Sequence, residues 1–136
     1  MADYTNFFGM KNTYFDRYTV NSPRCTTVEL ASAAVGKRFV SFATGKGAQT
    51  HSLVAQTGDG ADAAGVLDGD GVKGERRRVV AEGSAAEVEA GAAVTAGQAV
   101  QSDATGRAVP LAAGKKLGVA RVDAADGEYT EIQFSL

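Results

Sequence analysis

One stretch of this 136-residue chain invites a chemical reading: Val66-Leu67-Asp68-Gly69-Asp70-Gly71-Val72-Lys73-Gly74-Glu75-Arg76-Arg77-Arg78. Its glycines at 69, 71 and 74 have the G-x-G-x-x-G spacing that lets a backbone approach a pyrophosphate, provided a strand precedes it and a helix follows. Gly65-Val66-Leu67 supplies a strand, but the residues after Gly74 read as a second strand ending near Gly83. No crossover helix or βαβ unit surrounds it, so the dinucleotide reading fails. Calcium fares no better. Counted from Asp68, an EF-hand frame places Val72 at position five, Lys73 at six and Val79 at twelve, where ligands and a glycine are needed. No repeat period is visible that would build stacked calcium turns, and hairpin turns account for the Asp-Gly pairs.

The remaining reactive groups are sparse. Arg76, Arg77 and Arg78 alternate across the two faces of a strand, Arg77 opposite its neighbours, with Glu87 and Glu89 as expected ion-pair partners. Three arginines on a chain of net charge −2 do not make a polyanion surface, so no nucleic acid is expected. His51 is the only histidine and Cys25 the only cysteine, which excludes an intrachain disulfide and a multi-cysteine metal site. Neither Cys25 nor any serine sits in a nucleophile motif. The expectation is a protein that is not an enzyme and uses no metal or cofactor.

The elements that would position such residues are short strands. Seventeen glycines against two prolines, and many alanines and valines, indicate tight turns between them. Arg38 to Ala43, His51 to Ala55, Gly65 to Leu67, Arg76 to Ala81, Ala86 to Ala90, Gln98 to Gln101, Leu117 to Val122 and Glu128 to Leu136 all read as β. In the last run Thr130, Ile132, Phe134 and Leu136 share one face. The fold class is all-β, a small β-barrel or β-sandwich. No apolar run is long enough to cross a membrane as a helix. The polar start, Met-Ala-Asp-Tyr-Thr-Asn, does not read as a signal peptide, so a soluble product of the cytoplasm is expected.

Residues 1–35 stand apart. Tyr4, Phe7, Phe8, Tyr14, Phe15 and Tyr18 are six of the ten aromatics, no period of 2 or 3.6 is sustained, and Asn21-Ser22-Pro23 is a turn signal. The expected organisation is an arm over 1–35 and one barrel-like domain over 36–136. Aromatics carry large burial energies, so the arm must dock, either on its own domain as an N-terminal strand or on a neighbouring surface. The second alternative makes those six residues interface anchors.

The block from Val88 to Pro110, with Val94-Thr95-Ala96-Gly97-Gln98-Ala99-Val100 and the tip Asp103-Ala104-Thr105-Gly106, reads as strand, turn, strand and hairpin. Together with Gly36-Lys37-Arg38-Phe39-Val40, Ala64-Gly65-Val66-Leu67, Leu117-Gly118-Val119-Ala120 and Gly127-Glu128-Tyr129, it resembles a family of small bacteriophage capsid decoration (head-stabilising, cement) proteins over roughly residues 36 to 136. The aromatic arm is not part of that family's pattern. Val-x-Ala-Gly-x-x-Val is also similar to lipoyl and biotinyl carrier barrels, but the tip at 103–106 has no lysine to modify. The resemblance implies a homotrimer on the outer surface of a virion, with the major capsid protein as partner. The alternatives are another phage structural subunit, such as a head-fibre base or tail-associated protein, or a non-catalytic ligand-binding β module.

Overall fold

The computed structural model describes residues 25–48, 51–81 and 84–134. Among the described residues there are ten strands: β1 (Cys25–Leu30), β2 (Phe39–Phe42), β3 (Leu53–Gln56), β4 (Gly65–Leu67), β5 (Arg76–Val80), β6 (Ala85–Glu89), β7 (Ala99–Ser102), β8 (Ala108–Pro110), β9 (Gly118–Ala120) and β10 (Tyr129–Phe134). The all-β reading holds, with the expected strands in place and the 103–106 tip joining β7 to β8 as an antiparallel hairpin.

The strands form two sheets. The first is a closed barrel in the order β1-β3-β2-β4-β5, and the second is a five-stranded sheet in the order β6-β10-β9-β7-β8. All strand pairings are antiparallel except β1 with β3, and a parallel bridge between Ala90 and Ala108 links the second sheet's outer strands. The two orders are the same topology written twice: β6 takes the place of β1, β10 of β5, β9 of β4, β7 of β2 and β8 of β3.

Residues 28–40 correspond to 88–100, and 65–80 to 118–133, in the strand registers and in the turn bonds that follow. The Ala34–Gly71 bridge recurs as Val94–Ala124. The Gly36 N–H donates to Asp70 Oδ1 at 2.7 Å, and the Ala96 N–H to Asp123 Oδ1 at 2.8 Å. Val72 N–H donates to Glu75 Oε1 and Ala125 N–H to Glu128 Oε1, both at 2.9 Å. Gly74 and Gly127, with φ of 89° and 87°, donate to the carbonyls of Leu30 and Ala90. Only glycine adopts that backbone cheaply. An aspartate that satisfies a neighbouring turn and a Gly-Glu pair that ends the loop are thus one device used twice.

Residues 25–35, read from the sequence as the end of an arm, lie in the first barrel. Val28 and Leu30 alternate inward and are buried, and β1 pairs with β5 from Cys25 to Glu29. Only two apolar residues carry that alternation, which is why the strand escapes a sequence reading.

Two cores result. Val28, Leu30, Ala34, Val40, Val54, Leu67 and Val79 fill the first barrel. Phe39, although it belongs to β2, faces the other way and joins the second core, with Val88, Leu117, Ile132 and Phe134. Successive residues of a strand point to opposite faces, so the pair Phe39-Val40 serves both cores.

Candidate interaction surface

Two places in this fold concentrate side chains that the strands alone do not require. The first is the junction between the sheets. The segment 37–39 runs between β6 and the start of β8: Glu89 N–H donates to the Lys37 carbonyl at 2.9 Å, and Phe39 N–H to the Gly106 carbonyl at 2.8 Å. In the first barrel the corresponding bond is direct, from Glu29 N–H to the Ser52 carbonyl. Charges lock this insertion. Arg38 Nη2 lies 3.0 Å from Glu89 Oε1, with both side chains mostly covered, and Lys37 Nζ lies 2.8 Å from Glu87. The hydrogen bond from Lys37 to Glu87 holds the ammonium above its ordinary pKa.

At the hairpin tip, Asp103 Oδ1 accepts the N–H groups of Thr105 and Arg107, both at 2.9 Å, and Oδ2 accepts from Arg107 Nε at 3.0 Å. Burial disfavours the Asp103 charge, but these donors and the Arg107 guanidinium outweigh it and hold the carboxyl below its usual range. This is architecture rather than a reactive pair, since each acceptor is occupied by a turn amide or a cation that fixes the loop.

The second place lies beside the start of β1 in the first barrel. β1 and β3 pair only at Glu29–Leu53 and Leu30–Val54. β3 begins at Leu53, and before Glu29 the residues Cys25, Thr26 and Thr27 of β1 are exposed. A recess of ≈ 100 Å³ here is lined by Thr26, Val28, Phe42, Ser52, Ala64, Val79 and Ala81. Phe42 stands on its rim, 69% exposed, the most exposed large apolar side chain among the described residues. A shallower depression on the other side of Phe42 is lined by Ser41, Asp62, Ala63 and Ala64.

The residues singled out by sequence fall as follows. Tyr4, Phe7, Phe8, Tyr14, Phe15 and Tyr18 lie outside the described residues. The G-x-G-x-x-G stretch is the loop from β4 to β5, and a strand follows it. Its Asp68 faces Arg78 at 3.4 Å, and its Asp70 caps Gly36. The arginines alternate across the strand as expected, but their partners differ: Arg77 pairs with Glu75 and Arg78 with Asp68, while Glu87 and Glu89 are taken by the 37–38 insertion. His51 Nδ1 is 2.6 Å from the Ala48 carbonyl of its own loop, and Cys25 is exposed at the start of β1. Sequence reasoning missed Phe42, whose signal was an aromatic at the solvent end of a strand.

No family model matches the chain, and no curated protein matches it. Among solved structures, its fold is that of a phage protein. The head fibre gp8.5 N base of bacteriophage phi29 superposes with a TM-score of 0.68 at 19% identity, covering 85% of this chain and 98% of that one. At that identity the likeness is one of fold. No helix among the described residues is long and apolar enough to cross a membrane.

Proposed function

We propose that this chain is a structural protein of a phage virion, seated on the outer surface of the head and contacting the major capsid protein as a homotrimer. The observation that carries the reading is the fold shared with a phage head-fibre base over nearly the whole of that protein. The block resemblance to capsid decoration proteins supports the same location on independent grounds. In this role the chain catalyses nothing: it is a small rigid body whose exposed apolar groups and aromatic segment bind neighbours. Few large residues fill its two cores, so association would add stability to a small β unit.

Two forms of the role differ in what is carried outward. A decoration protein covers capsomer junctions, whereas a fibre base also holds a distal fibre; the phi29 neighbour favours the second form. Cryo-electron microscopy of purified particles, with and without the gene for this chain, separates them. Decoration predicts compact density at local threefold positions; a fibre base predicts the same footprint with a projecting rod. Particles that lack the chain altogether overturn the proposal.

A further inference from the structure

Four Asp-Gly pairs punctuate the loops, at 59–60, 68–69, 70–71 and 126–127. In such a pair the glycine nitrogen, uncrowded by a Cβ, attacks the aspartate's own side-chain carboxyl wherever the backbone between them turns freely. The fold restrains three of the four. The Gly60 N–H donates to the Ser102 carbonyl at 2.9 Å, the Gly71 N–H to that of Ala34 at 3.1 Å, and the Gly127 N–H to that of Ala90 at 2.9 Å. Gly69 is the exception. Among the described residues its N–H donates no hydrogen bond, and open space lies where a Cβ would stand. The Asp68 carboxylate is only weakly held: Arg78 Nε lies 3.4 Å away in an exposed pair, a kind that contributes little. Asp70, by contrast, is tied to the Gly36 N–H at 2.7 Å.

We propose that Asp68-Gly69 is a modification site, the Asp-Gly pair at which the folded protein converts aspartate to isoaspartate. The Gly69 nitrogen bonds to Cγ of Asp68; its proton and the carboxyl hydroxyl leave as water, closing a five-membered succinimide. Water then adds back to the ring. Where it breaks the bond between the former main-chain carbonyl carbon of Asp68 and the Gly69 nitrogen, the chain runs on through Cβ and Cγ. The carboxylate left on Cα becomes the side group. Solvent water is the only co-reactant, and the mass of the protein is unchanged. The product lengthens the loop between β4 and β5 by one carbon. That loop holds the Gly36 N–H through Asp70, and the Lys37 N–H donates to the Leu67 carbonyl at 2.7 Å just before it, so the change falls beside the junction of the two sheets. The other three pairs react only when a local opening breaks the glycine's bond.

The test is to incubate the full-length protein for weeks at neutral pH and physiological temperature, folded and in denaturing urea. Peptides are then sequenced by mass spectrometry with electron-transfer fragmentation, which distinguishes isoaspartate from aspartate at each position. The expected result is isoaspartate at 68 accumulating several-fold faster than at 59, 70 or 126 in the folded protein, with the four rates converging in urea. Folded protein in which position 68 is no faster than the other three overturns the proposal. So does a preference for 68 that persists undiminished in urea, which would assign it to local sequence and not to the fold. Gly69→Ala gives a second readout. A Cβ there meets nothing within 4 Å, so the fold is kept while the nitrogen is crowded. Conversion at 68 should slow several-fold, with 59, 70 and 126 unaffected; an unchanged rate at 68 would refute attack by that nitrogen.

Discussion

The rings of Phe39 and Phe134 meet at the junction of the two sheets, with centroids 6.2 Å apart and planes inclined at 33°. Both are fully buried. Phe39 comes from the first sheet and Phe134 from the last strand of the second, so the contact ties one sheet to the other. It is also where the two copies of the repeated topology cease to be equivalent, because the residue corresponding to Phe39 in the second copy is Ala99.

Truncating this contact should destabilise both halves together. Phe39→Ala removes a fully buried ring and is expected to cost about 3–5 kcal/mol. Unfolding followed by far-ultraviolet circular dichroism should remain a single transition at a lower denaturant midpoint. Two resolved transitions would show that the sheets fold independently.

The repeat predicts matched penalties at matched glycines. A Cβ on Gly65 would collide with the Val80 carbonyl oxygen, and one on Gly118 with the Gln133 carbonyl oxygen. Gly65→Ala and Gly118→Ala should each cost about 1–3 kcal/mol by overpacking. Gly69→Ala, where a Cβ meets nothing within 4 Å, should change stability by less than about 1 kcal/mol. Chemical denaturation of the three variants checks this.

Lys37 and Gly97 occupy corresponding left-handed positions, with φ of 59° and 89°. Lysine bears a steric cost there of about 1 kcal/mol that glycine does not. Lys37→Gly relieves it while losing the exposed pair with Glu87, which is worth about 0.2–1 kcal/mol, so the melting temperature should stay nearly constant. Gly97→Ala should lower it, by an amount corresponding to about 1 kcal/mol.

Asp103 makes stability depend on pH in the acid range. Its folded pKa lies below the ordinary value, so the folded state binds this proton less readily than the unfolded state. The stabilisation is complete above the usual carboxylate range, near pH 4, and is lost as pH falls through the depressed folded value. Asp103→Asn should therefore destabilise the protein at neutral pH and flatten the acid limb of the stability curve. An unchanged acid limb would assign that dependence to other carboxylates.

Glu89 anchors the insertion that completes the second sheet. Removing it strands Arg38, which is mostly covered and whose other hydrogen bond among the described residues is to the Thr105 carbonyl at 3.4 Å. A double-mutant cycle of Arg38→Ala and Glu89→Ala should give a coupling of about 1 kcal/mol, read from denaturation midpoints. Additive effects would show that the backbone bonds of Lys37 and Phe39 suffice.

Local chemistry determined much of this protein by itself. Glycine punctuation and period-two alternation marked most of the strands, because a turn's φ and a strand's alternate burial are properties of neighbouring residues. Residue order also spoke against a dinucleotide loop in the G-x-G-x-x-G stretch, and a strand does follow it. The duplication was faintly written in the chain: Gly65-Val66, Asp70 and Gly74-Glu75 recur as Gly118-Val119, Asp123 and Gly127-Glu128. Their common role appears only once each aspartate is seen to accept a turn amide from a segment far away in sequence.

Tertiary structure decided what depends on such distant encounters. β1 became a strand because β5 offered it a partner, the ion pairs were reassigned because segment 37–39 enters the second sheet, and Phe42 was left exposed at the end of β2. None of these follows from neighbours in the chain. Pairing register and the packing of one sheet against another are set by the whole molecule at once, and the surfaces this protein can offer a partner are what that packing leaves uncovered.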